Sequence, residues 1–247
     1  MQPQESNRTR QAAFTSTHWS VVVAAGDSVN PGAREALETL CRTYWYPIYA
    51  CVRRKGRMPS DAQDLTQAFF ARLLEKKYFK LADPERGRFR AFLLTALDRF
   101  LVSDWRKASA EKRGAGQSLV SLDQRDAEDR YQAEPASPDL TPDKLFEKRW
   151  ALALLDRVLA GLRAEYENDG KRDLFDTLKS FVWGEASALS QAELGERLGM
   201  SVNAISQAVH RLRKRYGERL RAEVANTVAN VNDVEDELRY LLQVIST

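Results

Sequence analysis

The chain has 247 residues, 43% hydrophobic and 30% charged, enough to bury a real core in one or two domains and too apolar for overall disorder. Its formal net charge is only +3, so global charge selects no partner, but residues 86–113 hold eight Lys/Arg against three acids and residues 117–143 two Arg against seven acids. Cys41 and Cys51, ten residues apart on one predicted helix, cannot bond to each other, and with only His18 and His210 besides there is no metal-ligand spacing. Both cysteines are therefore expected as reduced core residues of a cytoplasmic protein. No signal peptide and no run of about eighteen apolar residues directs the chain to a membrane.

Residues 1–13 are polar and are expected to be disordered, and Thr15–Ser28 reads as a short capped helix ending at Gly26. Ala33, Leu37, Leu40, Cys41, Tyr44, Ile48, Cys51 and Val52 then form one helical stripe. Pro47 lies inside it and should kink or divide the helix. The next helix opens at Pro59 and Ser60, with Ala62, Leu65, Phe69, Phe70 and Leu73 on its apolar arc. Asp61, Asp64, Ala68 and Glu75 line the opposite arc, a row that is either solvated or docked on a basic protein surface.

Beyond a glycine-marked turn, Phe89, Phe92, Leu93, Ala96, Leu97, Phe100 and Leu101 make a packing face over residues 89–113. Arg86, Arg88, Arg90, Arg99, Arg106, Lys107, Lys112 and Arg113 surround it. Cations interleaved with aromatics suit a nucleic-acid surface, although Phe100 and Trp105 serve equally well as core. Residues 114–143 lack an apolar period, are rich in Ser, Asp, Glu and Pro, and read as a flexible acidic linker. Thr141 and Pro142 signal a helix start, and the strongly periodic helix that follows breaks at residues 167–170. A further helix spans residues 171–183.

Ser190 and Glu193 have capping-box spacing, Gly199 ends that helix, and Ser201 caps another after a three-residue turn. On the second helix Val209, Leu212 and Tyr216 fall within about 40° of Ile205. The opposite side carries Asn203, Gln207, His210, Arg211 and Lys214, flanked by Arg213 and Arg215. Amides that pair with adenine and arginines that hold phosphate or guanine suit a major groove, and the two capped helices make a helix-turn-helix. A solvated basic face is the plainer alternative. One such unit binds DNA weakly, so it needs either a dimer partner or a second contact on the same chain.

"DAQDLTQAFFARLLE", "RFRAFLLTALDRFLVSDWRK" and the terminal "VHRLRKRY" occur in that order. Together they resemble a bacterial RNA polymerase sigma factor of the sigma-70 family, above all the extracytoplasmic-function (ECF) group, over Ala33 to Arg221. The reading is all-α, two helical domains joined by the flexible acidic linker, the second with a helix-turn-helix, plus a C-terminal helical extension. In the terms of that resemblance, residues 1–28 are an N-terminal segment, 29–113 sigma domain two, 114–143 the linker, 144–221 sigma domain four and 222–247 the extension.

The resemblance implies that Asp61, Asp64 and Glu75 grip the clamp of the polymerase largest subunit. It implies −10 recognition and melting through Arg90, Arg99, Trp105, Arg106 and Lys107, and −35 recognition through Asn203, Ser206, Gln207, His210, Arg211, Arg213 and Lys214. The linker would then thread toward the RNA exit path, a solvated spacer being the alternative. The implied partners are core polymerase, promoter DNA and an anti-sigma factor or other regulator, with no membrane, cofactor, metal or catalytic residue. Two departures stand out: Gln63 and Ala68 replace common glutamates of the clamp helix, and "LDRF" replaces a frequent Arg-Asn pair.

The extension presents Val234, Leu238, Leu241, Leu242 and Ile245 on one helical face behind an acidic first turn. It either packs on the second domain or covers a basic DNA face. Two rival functions use the same features: a stand-alone dimeric helix-turn-helix regulator, which would bind its operator without polymerase, and an adaptor whose basic helices hold acidic proteins.

Overall fold

The computed structural model of the chain describes residues 19–26, 31–75, 78–83, 85, 87–108, 124–133, 139–183 and 190–246. Among them are ten α-helices, a few short 3-10 turns and no strand, so the fold is all-α as its periodicity requires. In order they are α1 (Trp19–Gly26), α2 (Ala33–Arg54), α3 (Pro59–Glu75), α4 (Phe89–Ala108), α5 (Gln124–Ala133) and α6 (Pro142–Asn168). They continue as α7 (Arg172–Leu178), α8 (Gln191–Leu198), α9 (Val202–Ala225) and α10 (Val234–Ser246).

Helix α2 runs undivided through Pro47. Proline removes one backbone bond, but Pro47 is buried with Tyr44, Ile48 and Cys51, and packing between α2 and α6 holds the helix together. Cys41 and Cys51 are free thiols in this core, and burial pushes them up to about 11 and about 12, so neither is a ready nucleophile. Thr66 on α3 is fully buried and donates to the Ala62 carbonyl at 2.7 Å.

Two hydrophobic cores form. The first joins Tyr44, Ile48, Phe69, Leu73, Phe89, Leu93 and Leu97 from α2, α3 and α4 to Phe146, Trp150 and Leu154 of α6, and takes in Val224, Val234 and Leu241. The second joins Leu155, Val158 and Leu162 of α6 to Phe175, Leu194, Ile205, Val209, Leu212 and Tyr216. Helix α6 has 27 residues, about 40 Å of rod, and its successive turns enter both cores. Its start is the expected one, with Thr141 capping the Lys144 N–H and Pro142 in the first turn.

The stretch expected as a structureless acidic linker contains α5, which corrects that expectation over residues 124–133. Ala127 of this helix is buried and Tyr131 meets Tyr49 edge-on at 6.5 Å. Glu128 accepts from Arg53 Nε at 2.9 Å and Nη2 at 2.8 Å, and from the Tyr49 hydroxyl. One carboxylate aimed at a cation on α2 therefore docks a segment whose composition reads as solvated.

Hydrogen bonding from Arg53, against the cost of burial and helped by Tyr49 and Gln132, holds the Glu128 carboxyl down to about 2. A depressed carboxylate contributes stability that is complete above its unfolded value and disappears as pH falls through its folded one. Docking of α5 should therefore weaken as pH falls from about 4.5 toward about 2. Near-ultraviolet circular dichroism of the tyrosines should follow that loss in the native chain, and Glu128→Gln should flatten it.

Candidate nucleic-acid interface

Helices α8 and α9 form the helix-turn-helix from local chemistry. The Ser190 side chain accepts from the Glu193 N–H at 3.3 Å while Glu193 accepts from the Ser190 N–H at 2.6 Å, closing the capping box. Gly199 ends α8 with φ +63°, a left-handed conformation that favours glycine. Ser201 then caps α9 through the Ala204 N–H at 3.2 Å. Gly195 has a separate reason: a Cβ there would lie 2.5 Å from the Met200 carbonyl oxygen, so the turn folds back on α8 only because no side chain intervenes.

Ile205, Val209, Leu212 and Tyr216 are buried on the inner side of α9 as their spacing requires. Asn203, Ser206, Gln207, His210, Arg211, Arg213 and Lys214 are all exposed on the outer side. Arg213 donates through Nε to the Phe181 carbonyl at 2.8 Å, which fixes its root at the edge of this face. Arg215 and Arg219 both bind Glu165, so they brace α9 against α6.

Helix α4 buries Phe89, Leu93, Leu97 and Phe100, while Arg99 is exposed. Between α3, α4 and the 3-10 turn Tyr78–Leu81 opens a cleft of about 150 Å³, lined by Phe69, Phe92, Phe100, Tyr78, Arg72 and Arg99 among others. A cavity near that size accommodates a single benzene ring. Arg72 lies over the Phe100 ring at 5.8 Å and donates to Ser103 at 3.2 Å. Arg72 and Tyr78 carry no signal of this role in the sequence, because only the packing of α3 on α4 brings them to Arg99.

Arg90 is the correction on this helix. It was expected on the DNA side, yet it is 2% exposed. Its Nε lies 2.6 Å from Glu147 on α6, its Nη1 lies 2.6 Å from Glu237 on α10, and its guanidinium sits 4.3 Å over the Trp150 ring. Burial opposes its charge, but the two carboxylates outweigh that cost and raise its pKa further. In this arrangement the guanidinium is consumed by the protein interior. The backbone of α4 continues through Trp105, Arg106 and Lys107, whose side chains lie outside the described residues.

Asp61, Asp64 and Glu75 are exposed on α3, and Ala68 interrupts the row. Asp61 and Asp64 are one turn apart, and the line from Asp61 to Glu75 is about 21 Å long. On α10 the expected face is rotated: Leu242 is 63% exposed, whereas Glu237 is fully buried. Glu237 lies three residues after Val234 and four before Leu241, both buried, a spacing that already places it beside the apolar stripe. Among the described residues there is no cluster of metal-binding side chains and no helix long and apolar enough to cross a membrane.

The model of the ECF sigma factor family matches residues 24–222, most of the chain, including both basic surfaces and the acidic row. The chain belongs to the ECF sigma factor family. It is thus an RNA polymerase sigma factor, whose partners are core polymerase and promoter DNA, and the stand-alone regulator is not favoured. No curated protein and no solved structure matches it. The family match ends at residue 222, so α10 of this sigma factor lies beyond it.

Proposed function

We propose that this sigma factor reads the −35 element with the outer face of α9 and the −10 element with α4. The −35 set is Asn203, Ser206, Gln207, His210, Arg211, Arg213 and Lys214; the −10 set is Arg99 with Trp105, Arg106 and Lys107. The cleft between α3 and α4 receives one base turned out of the non-template strand, stacked among Phe69, Phe92 and Phe100 with Arg72 and Arg99 near the phosphates. Asp61, Asp64 and Glu75 bind the polymerase clamp. The sigma factor supplies no catalytic group to the polymerase and works in the cytoplasm.

The observation that carries this reading is the division of labour on α9: its amides, imidazole and cations face outward on a helix whose inner stripe is fully occupied by core. The test is transcription by purified core polymerase plus this protein on genomic fragments, with start sites mapped. Promoter-specific starts are expected. Gln207→Ala should relax preference at one −35 position, at a cost of roughly 1–3 kcal/mol for a lost base pairing. Unaltered preference would remove Gln207 from the reading set, and starts without any shared upstream sequence would overturn the assignment.

A further inference from the structure

We propose that α10 is a built-in cover over the basic start of α4, and that lifting this helix adds Arg88 and Arg90 to the surface that holds DNA. The inference rests on the reading of α4 as a DNA surface. Each oxygen of the buried Glu237 carboxylate lies against a cation: Oε2 is 2.7 Å from Arg88 Nη2 and Oε1 is 2.6 Å from Arg90 Nη1. The Tyr240 ring lies 4.7 Å from the Arg88 guanidinium and 5.4 Å from that of Arg90, so one turn of α10 occupies two cations of the basic block at residues 86–113.

The same helix reaches both cores. Val234 and Leu241 are buried in the first, Ile245 packs against both, and Glu235 pairs with Arg221 of α9 at 3.0 Å. It is tethered through residues 229–233, all exposed. Burying a carboxylate costs several kcal/mol, and pairing returns that cost only if the geometry is good. A helix whose sole task was to cap the apolar junction would gain more from a leucine at position 237 than from a carboxylate. Glu237 instead makes the closed state depend on the cations that it hides. With α10 raised, Arg88 loses its partners on that helix, and Arg90 retains Glu147 and the Trp150 ring.

The experiment compares the full chain with Glu237→Gln and with a form cleaved, after folding, at a protease site inserted in residues 229–233. The substitution leaves the Arg90–Glu147 pair neutral overall, and the cleaved form keeps every native side chain should the variant fold poorly. Fluorescence anisotropy with a random-sequence single-stranded oligonucleotide reads the covered surface, and amide hydrogen exchange at residues 88–92 reports whether it is uncovered. Each released cation should raise affinity roughly fourfold at ~0.15 M salt and steepen the salt slope by about 0.7.

Unchanged affinity with faster exchange overturns the proposal, as does unchanged exchange in both altered forms. Transcription with core polymerase separates the two ideas. A rise in oligonucleotide affinity with no promoter-specific transcript from any form supports the cover and sinks the promoter-reading assignment. Equal transcription and equal affinity in all forms leave that assignment standing and sink the cover.

Discussion

Arg90→Ala is expected to lower the free energy of unfolding by about 3–5 kcal/mol, the cost of breaking a buried ion pair from one side. The substitution strands Glu147, leaves Glu237 with Arg88 alone and removes the cation over the Trp150 ring. Arg99→Ala, on the exposed side of the same helix, should stay within about 0.5 kcal/mol of the native protein while weakening DNA binding. Urea denaturation of the two variants checks this, and equal midpoints would contradict the buried cluster.

A pH dependence should accompany the loss. Burial pushes the Glu147 carboxyl above the usual range against the pull of Arg90, and without Arg90 that rise grows. A carboxyl with a raised folded pKa contributes stability that is complete below its unfolded value and is lost as pH rises through the folded one. The deficit of Arg90→Ala should therefore shrink in mild acid, where Glu147 takes a proton, and widen toward neutral pH.

Asp61→Arg combined with Asp64→Arg should abolish capture of core polymerase. The two residues are exposed one turn apart on α3, so the pair changes sign without disturbing packing. Like charges brought together at an interface cost several kcal/mol, which corresponds to a loss of more than about a hundredfold in affinity. Co-elution with core polymerase measures the loss, and an unchanged circular dichroism melt shows that the fold is intact. Retention of affinity would move the clamp contact to another surface.

Local features were legible because their causes are local. Thr141, Ser190 and Ser201 cap the helices that they were expected to cap, Gly199 takes the left-handed turn, and the stripe from Ile205 to Tyr216 is buried. The fates of the charges were not legible. Arg90 and Arg99 belong to the same basic block, yet one meets Glu147 and Glu237 in the interior while the other faces solvent. A cation carries no mark in the sequence of a partner 57 or 147 positions away. Helix α5 was missed for the same reason, because its docking depends on Arg53 and Tyr49 of α2 more than on an apolar period of its own.

The path of α6 also governs how this protein can be taken apart. A fragment beginning at residue 144 would carry off Phe146, Trp150 and Leu154, and the remaining N-terminal piece would face water with the aromatic pocket that they fill. A fragment ending after Leu154 would deprive the helix-turn-helix of Leu155, Val158 and Leu162. The first core and the helix-turn-helix therefore share a spine and should melt together.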